Sequence, residues 1–207
     1  MEYFWWEKTV EYAFVHEHVQ TNVSVAPLGG IQEKGGDVIL GKNEKWVLIE
    51  FKRKRDELNS EQSKFDDGKF VEAKKSLKNR SMHHLLVYGE LNVDKLVLKG
   101  QFYFGTKEFG VEKLLKRGTD EETFLSYFHE FISYKKSKQN SSGGGITSVV
   151  GVDLEGKVSK IMSAHEYENT LVLKKKLNEE LNSRIELKEK EKEKKKKKER
   201  KRNPLRR

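Results

Sequence analysis

Three charged residues, Asp37, Glu50 and Lys52, have the types and spacing to act together in catalysis. Two apolar runs of strand length, residues 36–40 and 46–52, flank a polar loop with Gly and Asn, which predicts a β-hairpin. Side chains two apart on a strand share a face, so Glu50 and Lys52 should point the same way and strand pairing should bring Asp37 near Glu50. Buried charges are paired or bound to a metal, whereas charges at a frayed strand end lie in solvent, and the hairpin alone leaves both interpretations open.

The spacing Asp-x12-Glu-x-Lys, preceded by two glycines, resembles the motif of the PD-(D/E)XK nuclease superfamily. Gly36 stands where the family motif has its leading proline. The resemblance implies that Asp37 and Glu50 bind Mg²⁺, for which Mn²⁺ can substitute, and that Lys52 is the catalytic lysine. Such an ion prefers oxygen ligands and lowers the pKa of a bound water, while a lysine can orient that water or offset charge on the phosphate. The implied activity is a metal-dependent nuclease that hydrolyses phosphodiester bonds, with DNA as the expected substrate and a defence or DNA-processing role.

The same resemblance implies accessory residues on the helices that precede and follow the hairpin. A helix is expected over residues 3–19, and relatives often contribute a metal-binding glutamate from it, which makes Glu7 the first candidate and Glu11 the second. Some relatives place a Gln or Lys from the following helix at the active site, and the matching positions are Gln62 and Lys64. For Glu7 and Glu11, a solvated helix edge is the alternative interpretation.

The predicted elements follow the order α-β-β-β-α-β of the restriction-endonuclease-like core. A helix between the hairpin and the next strand permits parallel pairing of the two strands on either side of it. The fold class is therefore expected to be α/β, with a central mixed sheet flanked by helices. Besides the hairpin and the first helix, the predicted elements are a strand at 23–26, a helix at 60–77 that Asp67-Gly68 could interrupt, and strands at 83–89 and 96–104.

The second half of the chain predicts an addition to this core. An amphipathic helix is expected over residues 120–134, followed by a Ser/Gly-rich linker, a second hairpin (146–152 and 157–162) and a helical region from about residue 163. The hairpin could cover an edge of the core sheet or form a dimer contact, and the sequence does not choose between them. The predicted division is a core at 1–135, a linker at 136–145, a hairpin-plus-helix addition at 146–183 and a charged tail at 184–207, helical or disordered.

Basic residues are concentrated at the C-terminal end of the chain. Residues 174–207 hold 17 Lys+Arg and 7 Asp+Glu, so this end accounts for the whole formal net charge of +9 and the remainder is close to neutral. Lysine and arginine bind nucleic acid by neutralising phosphates. The candidates are the cluster that follows the proposed site and a run in the tail: Arg53, Lys54, Arg55, Lys196, Lys197 and Lys198. A solvated loop and a solubilising tail are the alternatives.

Composition limits the remaining function classes. The chain has no cysteine, which excludes disulfides and thiolate metal sites, and no run long and apolar enough to cross a bilayer. A cytoplasmic protein without a membrane partner, monomeric or in a homodimer or larger complex, is the expectation. A non-catalytic nucleic-acid-binding or assembly protein that retains the nuclease fold is the alternative to the enzyme.

Overall fold

The computed structural model describes residues 4–25, 44–135 and 147–202. The chain divides into two compact units, residues 1–164 and 165–207. This division differs from the predicted one, because the strands expected in a separate addition belong to the same sheet as the other strands of the first unit. The linker predicted at 136–145 lies outside the described residues.

The first unit is an α/β unit built on one mixed sheet. Its described strands are β1 (Val19–Val25), β2 (Lys45–Lys52), β3 (His84–Asn92), β4 (Lys95–Phe102), β5 (Glu108–Phe109), β6 (Thr147–Val152) and β7 (Val158–Ser163). Six longer strands and the two-residue β5 are arranged in the order β1-β7-β6-β2-β3-β4-β5. The α/β class, with a mixed sheet flanked by helices, is therefore confirmed.

The helices of this unit connect the strands and cover both faces of the sheet. They are α1 (Glu7–His18), a 3₁₀ helix (Arg55–Lys64), α2 (Lys69–Leu77), a short 3₁₀ helix (Lys78–Arg80), α3 (Val111–Leu115) and α4 (Glu121–Tyr134). The helix predicted at 60–77 is divided in two, as the Asp-Gly pair suggested. Gly68 caps α2 with a φ of 79°, a conformation that glycine adopts at little cost.

Strand β2 lies in the middle of the sheet and is paired along both edges. It runs parallel to β3, with Glu50 opposite Leu86, and antiparallel to β6, with Glu50 opposite Thr147. The parallel pairing with β3 across a helical crossover is as predicted. The described partners of β2 are thus β3 and β6. The predicted hairpin partner, residues 36–40, lies outside the described residues.

The second predicted hairpin forms, but its place in the sheet is central. Strands β6 and β7 pair antiparallel, and β6 inserts between β7 and β2. Residues Ser148 to Val152 of β6 are all buried. A strand with neighbours on both edges and helices over both faces requires such a continuous buried run, since no face is left for solvent.

The two faces of β2 pack against different helices. Val47, Ile49 and Phe51 join an apolar cluster that includes Val10 and Phe14 of α1. The opposite face meets α4, where the Trp46 and Phe124 rings lie 6.3 Å apart. Helices α1 and α4 are therefore on opposite sides of the sheet, which decides the residues that can reach Glu50.

The second unit is helical as part of α5 (Ala164–Arg202). For residues 184–207 the sequence allowed either a helix or a disordered tail. The described part of this segment, through Arg202, is helical. No described helix combines the length and the apolar character that a bilayer crossing requires.

Candidate active site on the central strand

Strand β2 places Glu50 and Lys52 on one face of the sheet, as the alternation of its sequence predicts. Glu50 has no exposed surface and Lys52 is 4% exposed. Both lie near the C-terminal end of a strand whose other residues are apolar apart from Lys45. Each charge therefore depends on partners supplied by neighbouring elements.

Three donors surround the carboxylate of Glu50. Lys135 Nζ lies 2.5 Å from Oε1, the Thr147 hydroxyl donates to the same oxygen at 2.8 Å, and Lys64 Nζ donates to Oε2 at 3.0 Å. Burial acts to raise the pKa of Glu50, but the Lys135 and Lys64 ammonium groups outweigh burial and hold it far below its usual value. Glu50 is therefore ionised at neutral pH.

Lys52 is paired with a second buried carboxylate, Glu61. Lys52 Nζ lies 2.7 Å from Glu61 Oε1, and Lys64 Nζ lies 2.6 Å from the same atom. The Tyr103 hydroxyl donates to Glu61 Oε2 at 2.9 Å. Burial lowers the pKa of Lys64, yet Glu50 and Glu61 together raise it above its usual value. The result is a row of alternating charges, Lys135–Glu50–Lys64–Glu61–Lys52, which we call the charge network.

Aromatic and histidine side chains pack beside the charge network. The Tyr103 ring stacks on the His84 ring, with centroids 4.0 Å apart, and His84 Nδ1 lies 2.7 Å from the Tyr127 hydroxyl. Burial lowers the pKa of His84 well below its usual value, so the ring is neutral. His84 is thus packed and hydrogen-bonded.

The structure brings one accessory candidate into the charge network and leaves the others elsewhere. Lys64 contacts Glu50 directly. Gln62 lines a cavity beside Glu61. Glu7 and Glu11 lie on α1, which packs on the opposite face of the sheet, and the buried carboxylate of Glu11 has Lys8 Nζ 2.8 Å from Oε2. Burial also raises the pKa of Glu11. This placement conflicts with a metal site that Glu50 would share with Glu7 or Glu11.

The predicted nucleic-acid-binding residues fall in two places. Arg53, Lys54 and Arg55 directly follow β2, and each has an acidic neighbour: Arg53 Nη2 is 2.6 Å from Glu57, Lys54 Nζ is 3.9 Å from Asp56 and Arg55 Nη1 is 3.6 Å from Glu108. These partners reduce the net positive charge that the cluster presents. Lys196, Lys197 and Lys198 lie on the helical backbone of α5 in the second unit.

Four members of the site were missed by sequence reasoning: Glu61, Tyr103, Lys135 and Thr147. Glu61 had a local signal, because it is three residues before Lys64 and this spacing brings helical side chains together. Lys135 and Thr147 reach Glu50 from 85 and 97 residues away in the chain. Only the tertiary fold brings them to the site.

The described residues of the site supply some of the groups that a metal ion would need as ligands. Among these residues, no three His, Cys, Asp or Glu side chains are grouped so that they could hold an ion. Two carboxylates, Glu50 and Glu61, do share one cation, the Lys64 ammonium. A divalent ion also prefers oxygen ligands of this kind. A metal at Glu50 therefore requires the lysines to move aside and a further ligand from beyond the described residues, where the predicted ligand Asp37 lies.

Comparison with known proteins gives no assignment. No protein-family model, curated protein or solved structure matches the chain. The site must be interpreted from its own residues.

Proposed function

We propose that this protein is a metal-dependent nuclease that hydrolyses phosphodiester bonds of DNA. One observation carries the proposal: Glu50 and Lys52 share a face near the end of a central strand, and Lys64 of the following helical segment contacts Glu50. The resemblance to the PD-(D/E)XK superfamily implies this set of a carboxylate and two lysines. The choice of DNA also follows from that resemblance.

Each residue has a role in this proposal. Glu50 and Asp37 would hold Mg²⁺, or Mn²⁺ in its place, and such an ion would supply a water of lowered pKa and Lewis-acid polarisation of the phosphate. Lys52 orients the attacking water or offsets charge on the phosphate. Lys64 stabilises the charge of the phosphate oxygens. Glu7 and Glu11 are left out, because α1 packs on the other face of the sheet.

The closed charge network requires an exchange of partners before the reaction. Lys64 and Lys135 occupy the oxygens of Glu50, and their side chains are 19% and 15% exposed. Because both lysines reach the surface, they can turn from the carboxylate to a phosphate when metal and substrate bind. Their positive charge then compensates the substrate in place of Glu50.

The alternative is a non-catalytic nucleic-acid-binding or assembly protein with the same fold. The observation that favours it is the internal pairing of the site. Glu50, Glu61, Lys52, Lys64 and Lys135 each have an oppositely charged partner within 3.0 Å. A buried network satisfied in this way can be retained for structure alone.

Plasmid cleavage with Mg²⁺ or Mn²⁺ separates these functions. We expect cutting by the wild type that EDTA abolishes, and a rate lower by about 100-fold or more in Lys52→Ala, Glu50→Gln and Asp37→Ala. Lys69→Ala is the matched control, since it removes an exposed lysine paired with Glu72 on the surface of α2. Equal cutting by all variants indicates a contaminant, and nucleic-acid binding without cutting by the wild type supports the alternative.

Metal binding is tested independently by calorimetric titration with Mn²⁺. The proposal expects binding to the wild type that Glu50→Gln weakens at least about tenfold, within the range found when a group that supports a metal ion is removed. Glu7→Gln should bind as the wild type does. Binding that is unaffected by Glu50→Gln places the ion elsewhere and contradicts the assignment.

A further inference from the structure

A cavity of about 390 Å³ lies beside the charge network. Its walls come from the first 3₁₀ helix, α2, β3, β4 and the turn after β4, and Glu61 is part of its lining. The volume is within the range of about 300–1,000 Å³ for small-molecule sites. The cavity is large enough for one nucleotide.

The position of the cavity relative to Glu50 follows from strand register. Glu50 is opposite Leu86, and Leu86 is opposite Gln101, so the three side chains form a row across one face of the sheet. Two strand spacings separate Gln101 from Glu50, about 10 Å. Leu86 and Gln101 line the cavity, and Glu61 pairs with Lys52. The cavity and the proposed reaction centre are therefore neighbours on the same face.

The lining combines three kinds of group that together suit a nucleotide. Aromatic side chains come from Tyr103 and Phe104, amides from Gln62 and Gln101, and cations from Arg55 and Lys74, beside the carboxylates of Asp56 and Glu61. Aromatic rings stack on nucleobases, amides hydrogen-bond base edges and cations bind phosphate.

The side chain of Gln101 has an acceptor available for a ligand. Its Nε2 donates to the Gly105 carbonyl at 2.8 Å, which fixes the orientation of the amide. Its Oε1 forms no hydrogen bond within the described part of the chain. Gln101 is buried in the floor of the cavity, so this acceptor can be satisfied by a group that enters the cavity.

We infer that the cavity binds one unpaired nucleotide of the substrate, next to the phosphodiester bond that is cleaved. The base lies against Tyr103 and Phe104 with Gln101 and Gln62 at its edge, and Arg55 and Lys74 hold the adjoining phosphate. A base in a duplex is stacked and paired, so it can enter only after it is released from the helix. The substrate class is therefore nucleic acid with single-stranded or unpaired nucleotides. The inference rests on the proposed function for its placement beside a scissile bond.

Nucleotide binding is measured without metal, so that it does not depend on cleavage. Full-length protein in EDTA is titrated with millimolar dAMP, dCMP, dGMP or TMP, and amide resonances are followed by NMR. We expect shifts at Gln101, Phe104 and Gly105, and affinity about three- to tenfold lower in Gln101→Leu and in Gln62→Ala, as for loss of one hydrogen bond. Asn92→Ala, an exposed amide near the β3–β4 turn, should leave the affinity unchanged.

Inorganic phosphate is the control ligand. Equal shifts from phosphate alone, or no shifts from any nucleotide, overturn the inference. Gln62 is exposed on its 3₁₀ helix, so Gln62→Ala is expected to fold even where Gln101→Leu does not.

The substrate class is tested by fluorescence anisotropy in EDTA at one salt concentration. We expect a single-stranded oligonucleotide to bind about tenfold or more tightly than a blunt duplex of the same length. Gln62→Ala should reduce this ratio, and equal affinities in the wild type overturn the inference. Cleavage with no nucleotide binding means that this inference fails while the nuclease stands. Nucleotide binding without cleavage keeps the cavity as a nucleotide site and contradicts the nuclease, and with it the placement beside a scissile bond.

Discussion

Strand β2 presents two faces that are stabilised in different ways. Val47, Ile49 and Phe51 lie in an apolar cluster with α1, where burial of area supplies the free energy. On the other face, Glu50 and Lys52 are just as buried, but they are held by ion pairs with Lys64, Lys135 and Glu61. One strand thus combines a packing face and a charged face.

The contrast shows where the chain can tolerate change. Truncation of an apolar side chain on the first face leaves a cavity, and its cost depends on the volume removed. Removal of a charged partner on the second face leaves a buried charge without compensation. Apolar residues at Glu50 and Lys52 could have supplied stability alone, so the charged face is the part of the strand that the proposed function would explain.

Truncation on the apolar face should have the largest effect on stability. Phe51→Ala removes a fully buried ring that contacts Phe14 of α1 with centroids 5.3 Å apart. We expect the free energy of unfolding to fall by about 3–5 kcal/mol, measured by urea denaturation. Val71→Ala, at an exposed position of α2, is the control and should change it by less than about 0.5 kcal/mol. A small effect of Phe51→Ala would show that this face is not tightly packed.

Removal of Glu50 tests the charged face. Glu50→Ala leaves the ammonium of Lys135 without its carboxylate, and Lys64 keeps only Glu61. Because both lysines can turn towards water, we expect a loss of about 2–3 kcal/mol in urea denaturation, below the roughly 3–5 kcal/mol for a broken pair that stays enclosed.

A double-mutant cycle separates the ion pair from other effects of removing Glu50. Glu50→Gln and Lys64→Met should each be destabilising, and the double variant should lose less than the sum of the two. Additive losses would show that the interaction between Glu50 and Lys64 contributes no pairing energy.

Acid should weaken the charged face before the carboxylates are protonated. Burial lowers the pKa of His83 from 6.5 to about 4 and also holds the pKa of His84 well below its usual value. The unfolded chain therefore binds protons more readily below pH 6.5, and stability falls as the pH drops from there towards 4. We expect a loss of about 2–3 kcal/mol between about pH 7.5 and 5.5, or about 1.3 kcal/mol for each of the two histidines, from urea midpoints at each pH.

A single variant isolates the contribution of one histidine. His83→Gln should remove roughly half of the loss, while the lowered pKa of His18 on α1 adds to the remainder in the same direction. Glu50 does not contribute in this range, because a lowered carboxylate pKa affects stability only below the ordinary value of 4.5. An unchanged pH profile in His83→Gln would contradict the neutral, buried state of His83.

Local patterns in the sequence predicted where strands and helices lie better than they predicted which strands pair with each other. The alternation in β2 placed Glu50 and Lys52 correctly on one face, and the apolar face of α4 was recognised from its spacing. The antiparallel pairing of β2 with β6 was not foreseen, since it joins residues far apart in the chain. The central position of β6 was also missed. Its residues Ser148–Val152 are buried without interruption, which suits a central strand rather than an edge strand.

The candidate site was predictable only where local spacing determines contact. Lys64 was named only because relatives of the resembling family place a Gln or Lys from the helix after this strand at the active site. Lys135 and Thr147 approach Glu50 from the end of α4 and from β6, and no local pattern links these positions. The second carboxylate, Glu61, was overlooked because Ser60 and its neighbours also fit a helix start.

The smallest expected effect on stability comes from removing one hydroxyl group on the charged face, that of Tyr103. Tyr103→Phe removes the 2.9 Å hydrogen bond to Glu61 Oε2 and keeps the ring that stacks on His84. Since Lys52 and Lys64 still neutralise Glu61, we expect a loss of about 1 kcal/mol, within the range for one hydrogen bond to a charged group. Tyr12→Phe, which removes an exposed hydroxyl on α1, is the matched control and should be neutral in the same urea titration. Equal effects of the two variants would show that Tyr103 contributes only its ring, and that Glu61 is held by the lysines alone.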